Sequence, residues 1–164
     1  MKTLRLIWLA VFMTTVTLVP SAAGASTRTT AAGKQYLGDM APLKAMISKW
    51  ISESSQWNRS TTSTQIQAQT APFNAALHTF QKRLLDQLWP RRAARAIATM
   101  YNSVTFLEST VRTFETSSAQ FDEVYLAEVQ GQDSITASNA NPVRRDLGLT
   151  PRKTLSGRKL NYLF

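Results

Sequence analysis

The residue types that carry most protein chemistry are scarce in this chain. Cysteine is absent, and His78 is the one histidine among 164 residues. Without cysteine there is no disulfide, thiolate nucleophile, CxxC metal site or lipobox. No carboxylate stands three residues before His78, so the sequence does not support the dimetal sites that carboxylate-rich helical bundles hold. We expect His78 to be an ordinary surface histidine.

Acid–base catalysis would have to come from carboxylates. The candidates are Glu108, Glu115, Asp122, Glu123 and Glu128. Each suits a solvated helix face, and Glu108 stands four residues before Arg112, a spacing that favours a surface ion pair. The chain also lacks the HExxH, GxSxG, P-loop and GxGxxG patterns. We predict a protein that is not an enzyme and has no cofactor or metal; an unrecognised carboxylate site is the alternative.

A basic cluster surrounds the Trp89-Pro90 corner. Arg91, Arg92 and Arg95 follow the proline, which suits the first turn of a helix. Positive charge is disfavoured at a helix N-terminus by the helix dipole. A phosphate, a lipid headgroup or an anionic wall polymer would relieve that repulsion. We select these arginines as candidate anion contacts; a solvated basic surface is the alternative.

The C-terminal tail, residues 150–164, is basic and ends in apolar residues. The net charge of the chain is +9, and six of its 19 basic residues lie from Arg144 onward, against Asp146 alone. Basic side chains beside Leu160 and Phe164 suit an anionic membrane surface. The alternative is a flexible, disordered tail that keeps the protein soluble. The tail residues selected as anion contacts are Arg152, Lys153, Arg158 and Lys159.

The N-terminus has the three parts of a secretory signal. A short basic start precedes an uncharged apolar run over 6–19, and small residues follow at Ala23 and Ala25. A helix needs about 20 apolar residues to cross a bilayer, which is more than this run offers. We predict a cleavable signal peptide over 1–25 and a flexible leader over 26–34, with an uncleaved anchor as the alternative.

Apolar residues recur at alternating steps of three and four in four stretches, which is the spacing of one helix face. The first seam is Tyr36, Met40, Leu43, Ile47, Trp50, Ser54 and Trp57. The second is Ile66, Thr70, Phe73, Leu77, Phe80, Leu84 and Leu88. The third is Ile97, Met100, Val104, Leu107, Val111 and Phe114. The fourth and weakest is Phe121, Val124, Glu128, Gln132, Ile135, Val143 and Leu147.

These seams predict an all-α protein. Because no stretch alternates with a period of two between turn residues, we expect no sheet. Four amphipathic helices with short connections favour an antiparallel, up-down four-helix bundle over 35–149. Pro42 and Pro72 either kink the first two helices or begin them. The fourth helix is either continuous or divided near Pro142, and Gly148 ends it.

Aromatic residues at seam positions have two interpretations. They line a cavity for an apolar ligand between helices, or they are plain core. The candidate pocket residues are Trp50, Phe73, Phe80 and Trp89.

Several short motifs resemble those of uncharacterised secreted helical proteins and lipoproteins of actinobacteria. The matching residues are Tyr36, Leu37, Ala41, Pro42, Trp89, Pro90, Arg144, Arg145, Asp146, Leu147, Gly148, Leu149 and Pro151. The resemblance covers roughly residues 35 to 151 and implies a helical fold and an extracytoplasmic location, but no activity. This chain departs from the lipoprotein members in lacking a lipobox cysteine, and from the family in its basic tail after Pro151.

The sequence therefore predicts a non-enzymatic binding or interaction module that is secreted or otherwise extracytoplasmic. Its partner would be an apolar or anionic component of the cell envelope, or a protein. The alternative is a structural envelope protein that contacts an anionic membrane or wall polymer through its basic, aromatic tail. We expect no nucleic acid partner, because export removes the protein from that compartment.

Overall fold

The computed structural model describes residues 30–116 and 123–152, and these ranges are helical without a strand. The helices are α1 (Ala31–Ser54), α2 (Ser63–Asp86), α3 (Ala94–Thr116) and α4 (Glu123–Asp146), with a 3-10 helix (Arg91–Ala93) before α3. The predicted all-α class is confirmed. Within the described ranges, no helix combines the length and apolarity needed to cross a membrane. The predicted signal peptide over 1–25 lies outside the described residues.

Helix α1 begins at Ala31, so the predicted leader over 26–34 is wrong for its last four residues. Thr30 caps the helix: its hydroxyl oxygen accepts from the Gly33 N–H at 3.0 Å and donates to the Leu147 carbonyl at 2.7 Å. A Cβ on Gly33 would lie 3.0 Å from Leu149 Cδ2. This polar segment is helical because its cap and its glycine contact the distant end of α4.

A short connection turns the chain back from α1 to α2. Thr62 and Gln65 form a capping box at the start of α2, in which each side chain accepts from the other's backbone N–H. The Trp50 indole then donates to Thr70 Oγ1 at 3.1 Å, and Arg83 pairs with Asp39 at 3.0 Å. Since residues later in α2 contact residues earlier in α1, the two helices are antiparallel neighbours.

The prolines do not divide the helices. Pro42, Pro72 and Pro142 all lie inside helices, and α4 runs unbroken from Glu123 to Asp146. Pro42 and Pro72 are exposed, so water can bind the backbone carbonyl that each proline leaves without an N–H partner.

The first three seams form the core. Every residue of the first seam is buried, with Trp57 the most exposed at 8%. The second seam is buried as far as Leu84, but Leu88 is fully exposed. The prediction that Leu88 is buried was wrong because α2 ends at Asp86. The third seam is buried from Ile97 to Val111; the Phe114 side chain lies outside the described structure.

The fourth seam was predicted correctly at its end, where Val143 and Leu147 are buried, but in the wrong register before that. Val124 is 74% exposed and Ile135 is 52% exposed. Polar Asp133 and Thr136 occupy buried positions instead. Because they are polar, the spacing of apolar residues did not indicate the buried face of α4. The buried face of α4 comprises Val129, Asp133, Thr136, Ala140, Val143 and Leu147.

Successive helices pack directly on one another, whereas the backbones of α1 and α4 stand further apart. α2 and α3 are joined by side-chain bonds such as Gln81 to Thr105 at 2.6 Å. α3 and α4 are joined by Asn139 to Ser103 at 2.5 Å. The wider spacing of α1 and α4 leaves a groove between them.

Candidate functional site

The groove between α1 and α4 has a volume of about 220 Å³ and opens to solvent along one side. Its wall is apolar in the middle and basic at the rim. The lining residues are Tyr36, Leu37, Met40, Ala41 and Lys44 from α1, Ala140 and Arg144 from α4, and Arg152 from the segment after α4. None of these eight residues is acidic, and Lys44, Arg144 and Arg152 are basic.

Tyr36 supplies a hydrogen-bond donor at the base of the groove. Its ring packs edge-on against Phe80 and Trp89, with centroid separations of 6.2 Å and 6.4 Å. The side chain is 1% exposed, and its hydroxyl has no hydrogen-bond partner among the residues that the structure describes. Burial raises the pKa of the Tyr36 phenol, against a smaller opposing effect of Arg144 and Arg152. The phenol therefore stays protonated and can donate.

Arg144 is positioned by the end of α4. Gly148 adopts a φ of +74°, and the Leu149 N–H donates to the Arg144 carbonyl at 2.7 Å, which completes a Schellman motif. The chain then passes back over Arg144, whose Nε donates to the Thr150 carbonyl at 2.9 Å. Burial, and then the charge of Arg152, lower the pKa of the Arg144 guanidinium.

Asn141 holds Arg152 at the groove. The Arg152 N–H donates to Asn141 Oδ1 at 2.8 Å, and Asn141 Nδ2 donates to the Arg152 carbonyl at 3.0 Å. The first residues of the predicted flexible tail, Thr150 to Arg152, are therefore bonded to α4. The rest of the tail, including Lys153, Arg158 and Lys159, lies outside the described residues.

The described residues that line the groove are suited to binding a ligand. Three cations at Lys44, Arg144 and Arg152 surround a protonated donor and an apolar wall. The lining includes no histidine or carboxylate that could act as a general base. An anionic oxygen group with an apolar body would satisfy both parts of the lining.

A second feature of the α1–α4 interface is a buried carboxyl. Asp133 lies in a crevice beside Ile47, Trp50 and Val129 that has no room for a water molecule. The residue is 7% exposed, and its Oδ1 has no hydrogen-bond partner. Burial raises the pKa of Asp133 to about 7. Its protonation state therefore changes near neutral pH.

The predicted anion contacts at the Trp89-Pro90 corner lie elsewhere on the surface. Arg91, Arg92 and Arg95 are exposed, and none of them lines the groove. Of the four described residues that were predicted to contact anions (Arg91, Arg92, Arg95 and Arg152), the groove includes Arg152.

The predicted aromatic pocket residues fall into two clusters. Trp50 packs on Phe73 at 5.3 Å, and both line the crevice beside Asp133. Phe80 and Trp89 pack on the back of Tyr36. The structure therefore does not bring these four rings together.

His78 lies on the surface, as expected. Its side chain is 68% exposed, and Nδ1 lies 3.1 Å from Glu108 Oε1 on the neighbouring helix. Among the described residues, no three His, Asp or Glu side chains are grouped as metal ligands.

Sequence reasoning missed Tyr36, Lys44 and Arg144 as site residues. Tyr36 was assigned to the core seam and Arg144 to the basic end of the chain. The sequence signal that could have selected Tyr36 is an aromatic residue with a hydroxyl group at a seam position, because a buried Tyr usually requires a partner for its hydroxyl.

Comparison with known protein families, with curated proteins and with solved structures finds no match to this chain.

Proposed function

We propose that this protein is a non-enzymatic, extracytoplasmic binding protein that holds an anionic ligand in the α1–α4 groove. The observation that carries the proposal is the Tyr36 hydroxyl, which is buried and unpartnered in a groove ringed by Lys44, Arg144 and Arg152. Cations that line one groove, above a buried donor without a partner among the described residues, suit an anionic oxygen group.

The energetics of the empty groove support the proposal. A buried polar group without a partner costs about 1–3 kcal/mol. Arg152 adds to the cost because its charge disfavours the neighbouring Arg144 cation. A bound anion would accept a hydrogen bond from the Tyr36 phenol and would reduce the repulsion between Arg144 and Arg152. Binding would therefore offset both costs.

The proposal includes a closed arrangement of the helices, an antiparallel four-helix bundle in which α1 and α4 are the separated pair. The Thr30 hydroxyl bonds to the Leu147 carbonyl at one end of this pair. Ile47 and Val129 line a shared crevice further along it. Helical bundles commonly hold ligands between facing helices, and contacts on both sides of the groove would keep its walls in place.

The extracytoplasmic location in the proposal is supported by the sequence of residues 1–25, which has the charge, apolar run and small residues of a secretory signal. The resemblance to secreted helical proteins of actinobacteria agrees with it. Outside the cell, available anionic ligands include lipids, fatty acids and wall components.

The direct test is native mass spectrometry of the protein purified gently from an exporting host. We expect a mature mass that begins at Ser26 together with a noncovalent added mass. The double substitution Tyr36→Phe and Arg144→Gln should remove the added mass. The control is Arg112→Gln, which removes one positive charge from an exposed position on α3 and should retain it.

Three outcomes would contradict the proposal. A bare mass in the unsubstituted protein, even after incubation with envelope lipid extract, would contradict the binding function. An added mass that persists in the double variant would place the ligand elsewhere. A mass that includes Met1 would contradict the cleaved signal.

A further inference from the structure

The lining of the groove restricts the ligand beyond its charge. Resting on the function proposed above, we infer that the ligand is a short amphiphile: one anionic oxygen headgroup, a carboxylate or a phosphate monoester, on an unbranched alkyl body. Two independent features of the groove, its basic rim and its apolar wall, determine this class.

The rim selects the headgroup. Arg144 uses Nε for the Thr150 carbonyl, which leaves the remaining N–H groups of its guanidinium to bind ligand oxygens. A planar guanidinium matches two oxygens of one carboxylate or phosphate. The Tyr36 hydroxyl is buried near Arg144 without a partner among the described residues, and it would donate to the same oxygens once the ligand displaces the side chains that cover it. An amine would meet only like charges here.

The wall selects the body. Between the basic residues, the surface is formed by Leu37, Met40, Ala41 and Ala140. A small inorganic anion would leave these side chains uncovered. A sugar or a nucleotide would bring many polar groups to a wall that supplies few partners for them. An alkyl chain covers it without burying a polar atom, and the flexible Met40 can adapt to its shape.

The size of the groove limits the body. At roughly 30 Å³ for each water-sized group, its volume of about 220 Å³ holds about seven such groups. These correspond to a headgroup and about five carbons. The groove is open to solvent along one side, so a longer chain continues onto the surface. Each methylene buried inside should raise the affinity by roughly two- to fourfold, and carbons beyond about the sixth should add little.

The experiment is an NMR titration of the isotope-labelled protein, purified from an exporting host. The carboxylate probes are acetate, butanoate, hexanoate, octanoate and decanoate. Octyl phosphate, octanol and octylammonium then vary the headgroup while the alkyl chain stays the same. Inorganic phosphate provides an anionic headgroup without an alkyl chain. We expect affinity to rise to about hexanoate and then level off, with shifts on residues of α1 and α4. Octanol and octylammonium should bind at least about tenfold more weakly, because they lose charge-assisted bonds.

Substitutions connect the affinity to the named groups. Tyr36→Phe and Arg144→Gln should each weaken octanoate binding by about tenfold, since each removes a donor to a charged oxygen. Arg112→Gln should change it by less than about twofold, because exposed distant charges are screened. Thermal unfolding of each variant shows whether it is folded. In the unsubstituted protein, the residues whose NMR signals shift on octanoate addition locate the site without any variant.

The outcomes separate the two proposals. If no carboxylate or phosphate shifts groove residues, both the proposed function and this inference are wrong. If acetate or inorganic phosphate binds as tightly as octanoate, the amphiphile inference is overturned while the anion-binding groove stands. If octylammonium binds as tightly as octanoate, the assignment of the basic rim is wrong. The tighter of octanoate and octyl phosphate identifies the headgroup.

Discussion

Tyr36 and Asp133 each bury a polar oxygen without a partner along the α1–α4 interface. Both occupy buried positions where an apolar residue would pack without that cost. They differ in chemistry, since the phenol is a protonated donor and the carboxyl titrates near neutral pH. At the scale of residues, these two side chains provide separate and measurable tests of the interface.

Replacing Tyr36 by Phe should stabilise the ligand-free protein. The change keeps the ring contacts with Phe80 and Trp89 and removes an unpartnered hydroxyl, so we expect a gain of about 1 kcal/mol. Thermal unfolding would show this as a transition a few degrees higher. The matched control, Tyr101→Phe on a half-buried tyrosine of α3, should change stability little. A lower transition temperature for Tyr36→Phe would mean that the hydroxyl is bonded in solution.

Asp133 should make stability depend on pH. Its pKa is raised to about 7 in the folded protein, above the ordinary value of about 3.9. The folded state therefore holds a proton that the unfolded state has released between these values. The free energy of unfolding should fall as pH rises through this window, by up to about 1.4 kcal/mol for each pH unit, and level off above it.

Asp133→Asn tests this dependence. Urea unfolding at about pH 5 and about pH 8 should show that the variant gains stability relative to the unsubstituted protein as the pH rises. Asp86→Asn, at an exposed position, serves as the control and should leave the pH dependence unchanged. If Asp133→Asn and the unsubstituted protein lose the same stability between the two pH values, Asp133 does not titrate as described.

At the scale of elements, the end of α4 builds the site. The Schellman motif at Gly148 reverses the direction of the chain. The segment that follows passes back along α4, where Asn141 forms hydrogen bonds with the backbone of Arg152. Without this turn, the rim of the groove would lose one of its cations. The same turn brings Leu147 to Thr30, which caps α1, so one local motif positions both walls.

Gly148→Ala tests this element. The residue has a φ of +74°, which costs a non-glycine residue about 1–2 kcal/mol. We expect destabilisation of that size in urea unfolding, together with weaker octanoate binding. Gly131→Ala is the matched control: its added Cβ meets nothing within 4 Å, so the substitution should stabilise α4 by about 0.5–1 kcal/mol. Equal effects of the two substitutions would exclude a special role for the turn.

At the scale of the whole molecule, charge is concentrated towards the C-terminus, where six basic residues follow residue 143. Arg144 and Arg152 belong to the groove. Lys153, Arg158 and Lys159 are the tail residues from which retention at an anionic membrane or wall polymer was predicted. We therefore propose two separable interactions, one at the groove and one through the tail.

Removing residues 153–164 should separate them. Sedimentation with anionic vesicles at low salt should bind the full protein and lose most of that binding on truncation, because each basic residue near such a surface contributes about 1 kcal/mol. Octanoate binding should change by less than about twofold, since the groove residues remain. Vesicle binding that survives both truncation and high salt would contradict the predicted role of the tail.

The sequence by itself determined the class of fold and most of the core. Heptad spacing selected the buried residues of α1, α2 and α3, because a regular helix presents every third or fourth residue to one side. It also located the stop at Gly148, where backbone sterics favour glycine. The start of α1 and the register of α4 could not be obtained in this way. Thr30 and Gly33 are ordered by contacts with residues more than a hundred positions away, and Asp133 interrupts the apolar pattern.

The candidate site was decided by the tertiary structure. Tyr36, Arg144 and Arg152 carry no common motif, and their spacing along the chain predicts nothing about their proximity. They meet because α1 and α4 pack less closely than successive helices and because the chain turns back after α4. Local patterns report what each helix buries, whereas a groove depends on the distance between two helices, which is set by packing across the whole molecule.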